Sequence, residues 1–191
     1  MAERHRVVVI GGGPGGMCMA IKLAQAGITE VVVLEKAAGV GGTWWHNRYP
    51  GAECDVPSHL YSFSFEPKAD WSKPYAPQPE ILEYMTSIAV KYKLLPPEGP
   101  IRFEQEVESA VWDEVRSVWV LRLAGGDSME AEVVVSAVGM FCDLAMPDID
   151  GLVRISPVSP HPAHSYPLRA SLLPTCPSAR LLRSAAAGVL P

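Results

Sequence analysis

Val7 to Ile10 is a continuous run of β-branched residues, polar on its N-terminal side and followed by glycines. Such a run reads as a strand buried on both faces. Met17, Ala20, Ile21 and Ala24 then recur at helical spacing as far as Gly27, which predicts an amphipathic helix with a glycine cap. Val31 to Leu34 is a second buried strand. Residues 37 to 71 follow no period and are dense in aromatics and glycine; a loop of that length inside a compact domain is usually functional. Pro79 and Glu80 open a second helix carrying Ile81, Met85, Ile88 and Tyr92 on one face, and Pro96-Pro97 stops it. A meander follows: short Ile101 to Phe103, then Val107 to Trp112 and Val118 to Leu123, which alternate as strands with one wet face. Gly125-Gly126-Asp127 turns the chain, and Val133 to Val138 can rejoin the buried sheet before Gly139.

The predicted order is βαβ, loop, helix, meander and a returning strand. It implies an α/β class with a parallel sheet and a β-meander crossover. A plain nucleotide-dependent dehydrogenase would more often continue with alternating helices and strands.

The turn after the first strand carries the chemistry. It reads Gly11-Gly12-Gly13-Pro14-Gly15-Gly16. Gly11 permits the sharp turn, Gly13 lets a pyrophosphate approach the backbone, and Gly16 lets the helix pack close. Pro14 suits a first helical turn. The helix N-terminus offers free N–H groups to phosphates. Glu35, at the end of the second strand, can accept hydrogen bonds from both hydroxyls of a ribose. A carboxylate there repels a 2′-phosphate, so the site reads as one for FAD or NAD.

Composition narrows the function classes. The formal charge of −5 argues against a nucleic-acid binder. No stretch approaches the ~18 apolar residues of a membrane span, and the first apolar run is a strand, not a signal peptide; a cytoplasmic location is the default expectation. The four cysteines, Cys18, Cys54, Cys142 and Cys176, show no CxxC pair and no zinc spacing. Cys18 reads as a small core residue. His46 and His59 have no base or metal partner in the pattern. All 21 acids lie at or before Asp150, whereas residues 154–191 carry four arginines and no Asp, Glu or Lys. That Pro-, Ser-, Ala- and Leu-rich stretch has no period and predicts a poorly ordered tail, so the expected division is a domain over 1–151 and a tail over 152–191.

The long loop contains Gly41-Gly42-Thr43-Trp44, then Tyr49-Pro50-Gly51 and Asp55. This spacing resembles the flavin-dependent Baeyer–Villiger monooxygenases and their relatives, the flavin-containing monooxygenases. Tyr61-Ser62-Phe63-Ser64-Phe65 and Gln78-Pro79-Glu80 also resemble that family, and the likeness covers roughly residues 5 to 151. It implies a flavoprotein with two dinucleotide-binding domains, FAD in the first and NADPH in the second. The implied chemistry is oxygen activation as a C4a-peroxyflavin and oxidation of a small-molecule ketone, amine or sulfide. By the resemblance, Gly11, Gly13, Pro14 and Gly16 cradle the FAD pyrophosphate, and Glu35 with Lys36 binds the ribose side. Gly42, Thr43 and Trp44 lie along the flavin portion. Asp55 and Tyr61 are near the isoalloxazine, Asp55 in a catalytic role. Val107 is near the adenine, and Ala137 and Gly139 are close to the pyrophosphate.

Other readings stand beside these. Trp44, Trp45 and Tyr49 could be core aromatics under the loop, and Asp55 an Asx-turn residue. Glu53 replaces the family's arginine and reverses a charge near the expected nicotinamide face. Disulfide reductases share such a first domain but need a cysteine pair after the Gly-Gly-Thr, where this chain has Trp44. A second glycine-rich βαβ unit for NADPH does not follow Gly151. The abrupt change there suggests a frameshift, a truncated reading frame or an alternative transcript. A flavin-binding piece without catalysis is therefore the alternative function, and an NAD-dependent dehydrogenase the third.

Overall fold

The computed structural model describes residues 3–140. The expected tail and the boundary at Gly151 lie outside the described residues, as do Cys142 and Cys176. The elements in chain order are β1 (Glu3–Ile10), α1 (Pro14–Gln25), β2 (Val31–Leu34), α2 (Thr43–His46), α3 (Gln78–Lys91), β3 (Ile101–Arg102), β4 (Val107–Asp113), β5 (Val118–Leu123) and β6 (Ser128–Ser136). Ser58–Leu60 forms a single 3-10 turn in the long loop.

One six-stranded sheet runs in the order β3-β2-β1-β6-β5-β4. β3, β2, β1 and β6 are parallel neighbours, and β4 and β5 are antiparallel. The Ile101 strand therefore belongs to the parallel sheet, against Val33 and Leu34 of β2, and not to the meander. β6 begins at Ser128, five residues before the expected apolar run. Its first half pairs with both β5 and β1, while Val133 to Ser136 continue along β1. That second half is less buried than its composition suggests; Val133 is half exposed.

The sheet buries its two faces differently. Val7, Val9 and Val33 pack under α1 and α3, with Met17, Ile21, Ile81, Met85 and Ile88. Val8, Ile10, Val32 and Leu34 share a second core with Val107, Ala110, Leu121 and Leu123 of the hairpin. In a flat sheet β4 would lie about 19 Å from β2, four strand spacings away. Yet Gln105, just ahead of β4, donates its N–H to the Glu35 carbonyl at the end of β2 (3.0 Å). The sheet therefore coils, and the β4–β5 hairpin roofs the face that no described helix covers. A β-bulge between Val107 and Ser109 breaks the alternation of β4, as bends of this kind require.

An ion pair joins the start of β1, at Glu3, to the end of β3, at Arg102. Both guanidinium nitrogens donate to the carboxylate at 2.6 Å. The Arg102 hydrogen bond holds the Glu3 pKa at about 2 against an ordinary 4.5. A lowered folded-state pKa stabilises above the unfolded value and is lost as pH falls towards 2. The pair is half exposed, so its worth is ~1 kcal/mol or less. Glu3→Gln should be less stable than the parent at pH 6, and the gap should close between pH 5 and pH 2 in urea titrations. A gap that persists unchanged at pH 2 contradicts the assignment.

Both long helices end in the same backbone motif. After α1, Gly27 is left-handed (φ 77°), with bonds from Gly27 N–H to Ala24 and from Ile28 N–H to Leu23. Leu23 takes the packing place expected of Ala24, which is exposed. After α3, Lys93 takes the left-handed position (φ 53°), and Leu94 N–H closes onto Ala89. The helix therefore stops at Lys91 by this cap, well before Pro96-Pro97. A lysine there bears the Cβ penalty that glycine avoids. Lys93→Gly should raise stability by ~1 kcal/mol; unchanged or reduced stability in thermal melts would show that Lys93 is not strained.

Candidate functional site

The site is built where β1, β2 and β6 end. Gly11 turns the chain off β1 with φ 108°, and a Cβ there would lie 2.5 Å from the Ala137 carbonyl oxygen. Gly16 packs α1 against the same turn: a Cβ would fall 1.8 Å from the Gly11 oxygen. Pro14 occupies the first turn of α1, the N-cap is Gly13, and no side chain caps the helix. Its leading N–H groups are thus left for an external acceptor.

A second glycine turn closes on the first. Gly41 N–H donates to the Gly12 carbonyl (3.2 Å). A Cβ on Gly42 would lie 3.1 Å from the Gly13 Cα. Two glycine backbones therefore pack directly against each other and form a cradle free of side chains, over which a pyrophosphate could lie.

Glu35 is buried at the flank of the cradle. One carboxylate oxygen accepts from Gly12 N–H at 2.6 Å, the other from Ala37 N–H at 2.7 Å. The acid fixes the turn as well as offering lone pairs to a ribose. Lys36 points into solvent beside it.

From Gly42 the chain enters α2, which places Thr43 at the surface and Trp44 in the core. The Trp44 indole N–H donates to the Tyr61 hydroxyl at 2.9 Å, and the rings meet edge to face. Burial raises the Tyr61 pKa, with a smaller contribution from Asp55 close by. Asp55 is exposed, and no side-chain hydrogen bond ties it to a turn among the described residues. Its Asx-turn reading thus gains no support.

Sequence-based expectations divide at this point. The turn Gly11 to Gly16, Glu35, Gly42 and Ala137 come together around the α1 N-terminus, and Thr43, Trp44, Tyr61 and Asp55 continue outward from it. Gly139 (φ 79°) is an exposed turn that nothing contacts through a Cβ position. Val107 is buried in the second core, so only its main chain could reach an adenine. Cys18 is half-buried, not a core residue. Of the loop aromatics, Trp44 is core, while Tyr49 is exposed. The reversed charge at Glu53 is answered by Lys73, whose Nζ lies 2.9 Å away. Gln78, noted in the sequence only for the family resemblance and given no role, is buried, and its side-chain amide donates to the Trp44 carbonyl. The only signal in the sequence was a Gln directly before the proline that opens a helix.

No helix of the described residues is long and apolar enough to cross a membrane, and among them no cluster of His, Cys, Asp and Glu is placed to hold a metal.

Comparison with known proteins agrees with this geometry. A family profile described as an NAD(P)-binding Rossmann-like domain matches residues 9–76. A Baeyer–Villiger monooxygenase of Streptomyces coelicolor is 46% identical over 150 residues, covering 78% of this chain and 28% of that protein. The structure of cyclohexanone monooxygenase from Rhodococcus sp. Phi1 bound to NADP+ superposes with a TM-score of 0.73 at 39% identity, over 80% of this chain and 29% of that one. An oxidised steroid monooxygenase bound to NADP gives 0.70 at 42% identity, over 78% and 29%. The chain thus spans well under a third of the length of the relatives it matches. Over that span, by sequence and by fold, the chain is similar to a dinucleotide-binding part of the Baeyer–Villiger monooxygenases.

Proposed function

We propose that the site binds FAD and that the chain supplies the flavin-binding part of an NADPH-dependent monooxygenase acting on a small molecule. The observation that carries this reading is the meeting of two glycine turns at an uncapped helix N-terminus, with buried Glu35 at its flank. The residues suit the group. The close-packed backbones of Gly13 and Gly42 put no side chain over the start of α1, and its amides can receive the charge of a pyrophosphate. Glu35 accepts from ribose hydroxyls, with Lys36 alongside. Trp44 and Tyr61 shield one side of the flavin end and place a phenol there. Asp55, exposed next to Tyr61, is the carboxylate available to orient polar groups or hold a proton. Bound FAD supplies the redox and oxygen chemistry, and the protein's share is orientation, electrostatics and exclusion of water.

The test is a titration of purified protein with FAD, followed by absorbance and flavin fluorescence. Saturable binding of one FAD per chain is expected, and preference for NAD over FAD would overturn the reading. A second reading is a flavin-binding unit without turnover of its own, favoured because the described residues hold a single glycine-loop unit. Bleaching of the bound flavin by NADPH would exclude it.

A further inference from the structure

We propose that Gln78 is a positioning residue for the flavin end of the site, acting through Trp44 on the hydroxyl of Tyr61. The proposal rests on the FAD reading above. The argument starts from α2, which is one turn long. A helix this short cannot satisfy its own carbonyls and has no stability of its own. Three of its carbonyls accept from side chains, Thr43 in addition to the Asn47 N–H. Asn47 Nδ2 bonds to Thr43 (2.9 Å) and Arg48 Nε to Trp45 (2.9 Å), both at the surface. Trp44 is held by Gln78 Nε2, the buried bond among the three and the one that arrives from another element.

Gln78 is itself fixed from both sides. Its own N–H donates to Ala52 (2.8 Å), Cys54 N–H donates to Ala76 (3.0 Å) and Ser58 N–H to Pro74 (2.8 Å). Residues 74–78 thus run as a short ladder along 52–58, the segment that carries Asp55. Gln78 sits where that ladder, the start of α3 and the α2 turn join. Its amide sets the height of Trp44, and the Trp44 indole in turn occupies the Tyr61 oxygen as a donor. A phenol that accepts from Trp44 turns its own proton away from it. Gln78 therefore determines where the Tyr61 O–H can aim.

Gln78→Met keeps the volume and removes the donor, and Trp44→Phe breaks the same relay without touching Gln78. Each should weaken FAD binding about tenfold, as should Tyr61→Phe, with far-UV circular dichroism unchanged. The deciding measurement is the double variant Gln78→Met/Tyr61→Phe. A relay predicts that the combined loss stays near tenfold, because either change already abolishes the aimed hydroxyl. A combined loss near a hundredfold means independent effects and overturns the proposal. The difference in near-UV circular dichroism between the ligand-free parent and Tyr61→Phe reads the Trp44–Tyr61 pair without any flavin. Loss of that signal in Gln78→Met supports the relay, and its retention overturns it. If the parent binds no FAD, the functional reading fails while this second measurement still decides the role of Gln78. Should Gln78→Met fail to fold, Gln78→Glu, which also loses the amide donor, carries the same comparison with Tyr61→Phe.

Discussion

Gly16→Ala should cost ~3 kcal/mol or more of folding stability. The added methyl would lie 1.8 Å from the Gly11 oxygen, a distance no pair of such atoms tolerates. Relief is not local, because the obstacle is main chain. α1 would have to lift off the turn, and Met17, Ala20 and Ile21, all in the first core, would move with it. A domain of this size holds only ~5–15 kcal/mol in total, so the loss is a large share of it. Gly125→Ala is the control, since nothing lies within contact of its added methyl, and a surface change of that kind stays within ~0.5 kcal/mol. Urea unfolding of the two variants makes the comparison. A loss below ~1 kcal/mol for Gly16→Ala would show that the helix does not need this close approach.

Glu35→Ala should lose both stability and ligand, for separable reasons. The carboxylate satisfies the Gly12 and Ala37 amides in a buried setting. Removing it leaves two buried donors unpaired, each worth ~1–3 kcal/mol, so a loss of ~2–4 kcal/mol is expected. Glu35→Gln keeps the shape but points an N–H₂ at one of the two amides, so about half that loss is expected. The ligand effect should exceed the stability effect, because the Gly12 amide belongs to the cradle and Glu35 sets its position. Urea titration and FAD titration of the same samples separate the two. Equal FAD affinity in Glu35→Gln and the parent would remove the acid from the site.

The βαβ unit was legible because each of its residues answers a sharp local demand. A Cβ at Gly11 or Gly16 is sterically excluded, and Val31 to Leu34 must be apolar on both faces to lie inside a parallel sheet. The meander strands were legible from their turns. What escaped the sequence depends on partners far along the chain. Ile101 is assigned by β2, not by its neighbours. The first half of β6 has polar residues because it lies between β1 and β5 near the rim, which conceals it from a search for apolar runs. Lys93 in a left-handed cap contradicts its own propensity, and the Schellman bonds around it override that. Gln78 answers a carbonyl in a different element, and no periodicity records such a debt.

The bracing of the glycine turn also sets an order of events. Gly11 lies far ahead of Ala137 in the chain, yet it rests against it, and β1 depends on β6 for one of its two neighbours. Pairing so distant in sequence is slow, because a long loop must close before the contacts form. The turn and α1 are therefore made well before β6 and stay without their lateral support until it follows. During that interval the apolar edge of β1 is open, and such edges recruit strands from other chains. Variants that weaken β6 should thus betray themselves first as aggregation during expression, before any change in the purified protein's affinity for a ligand.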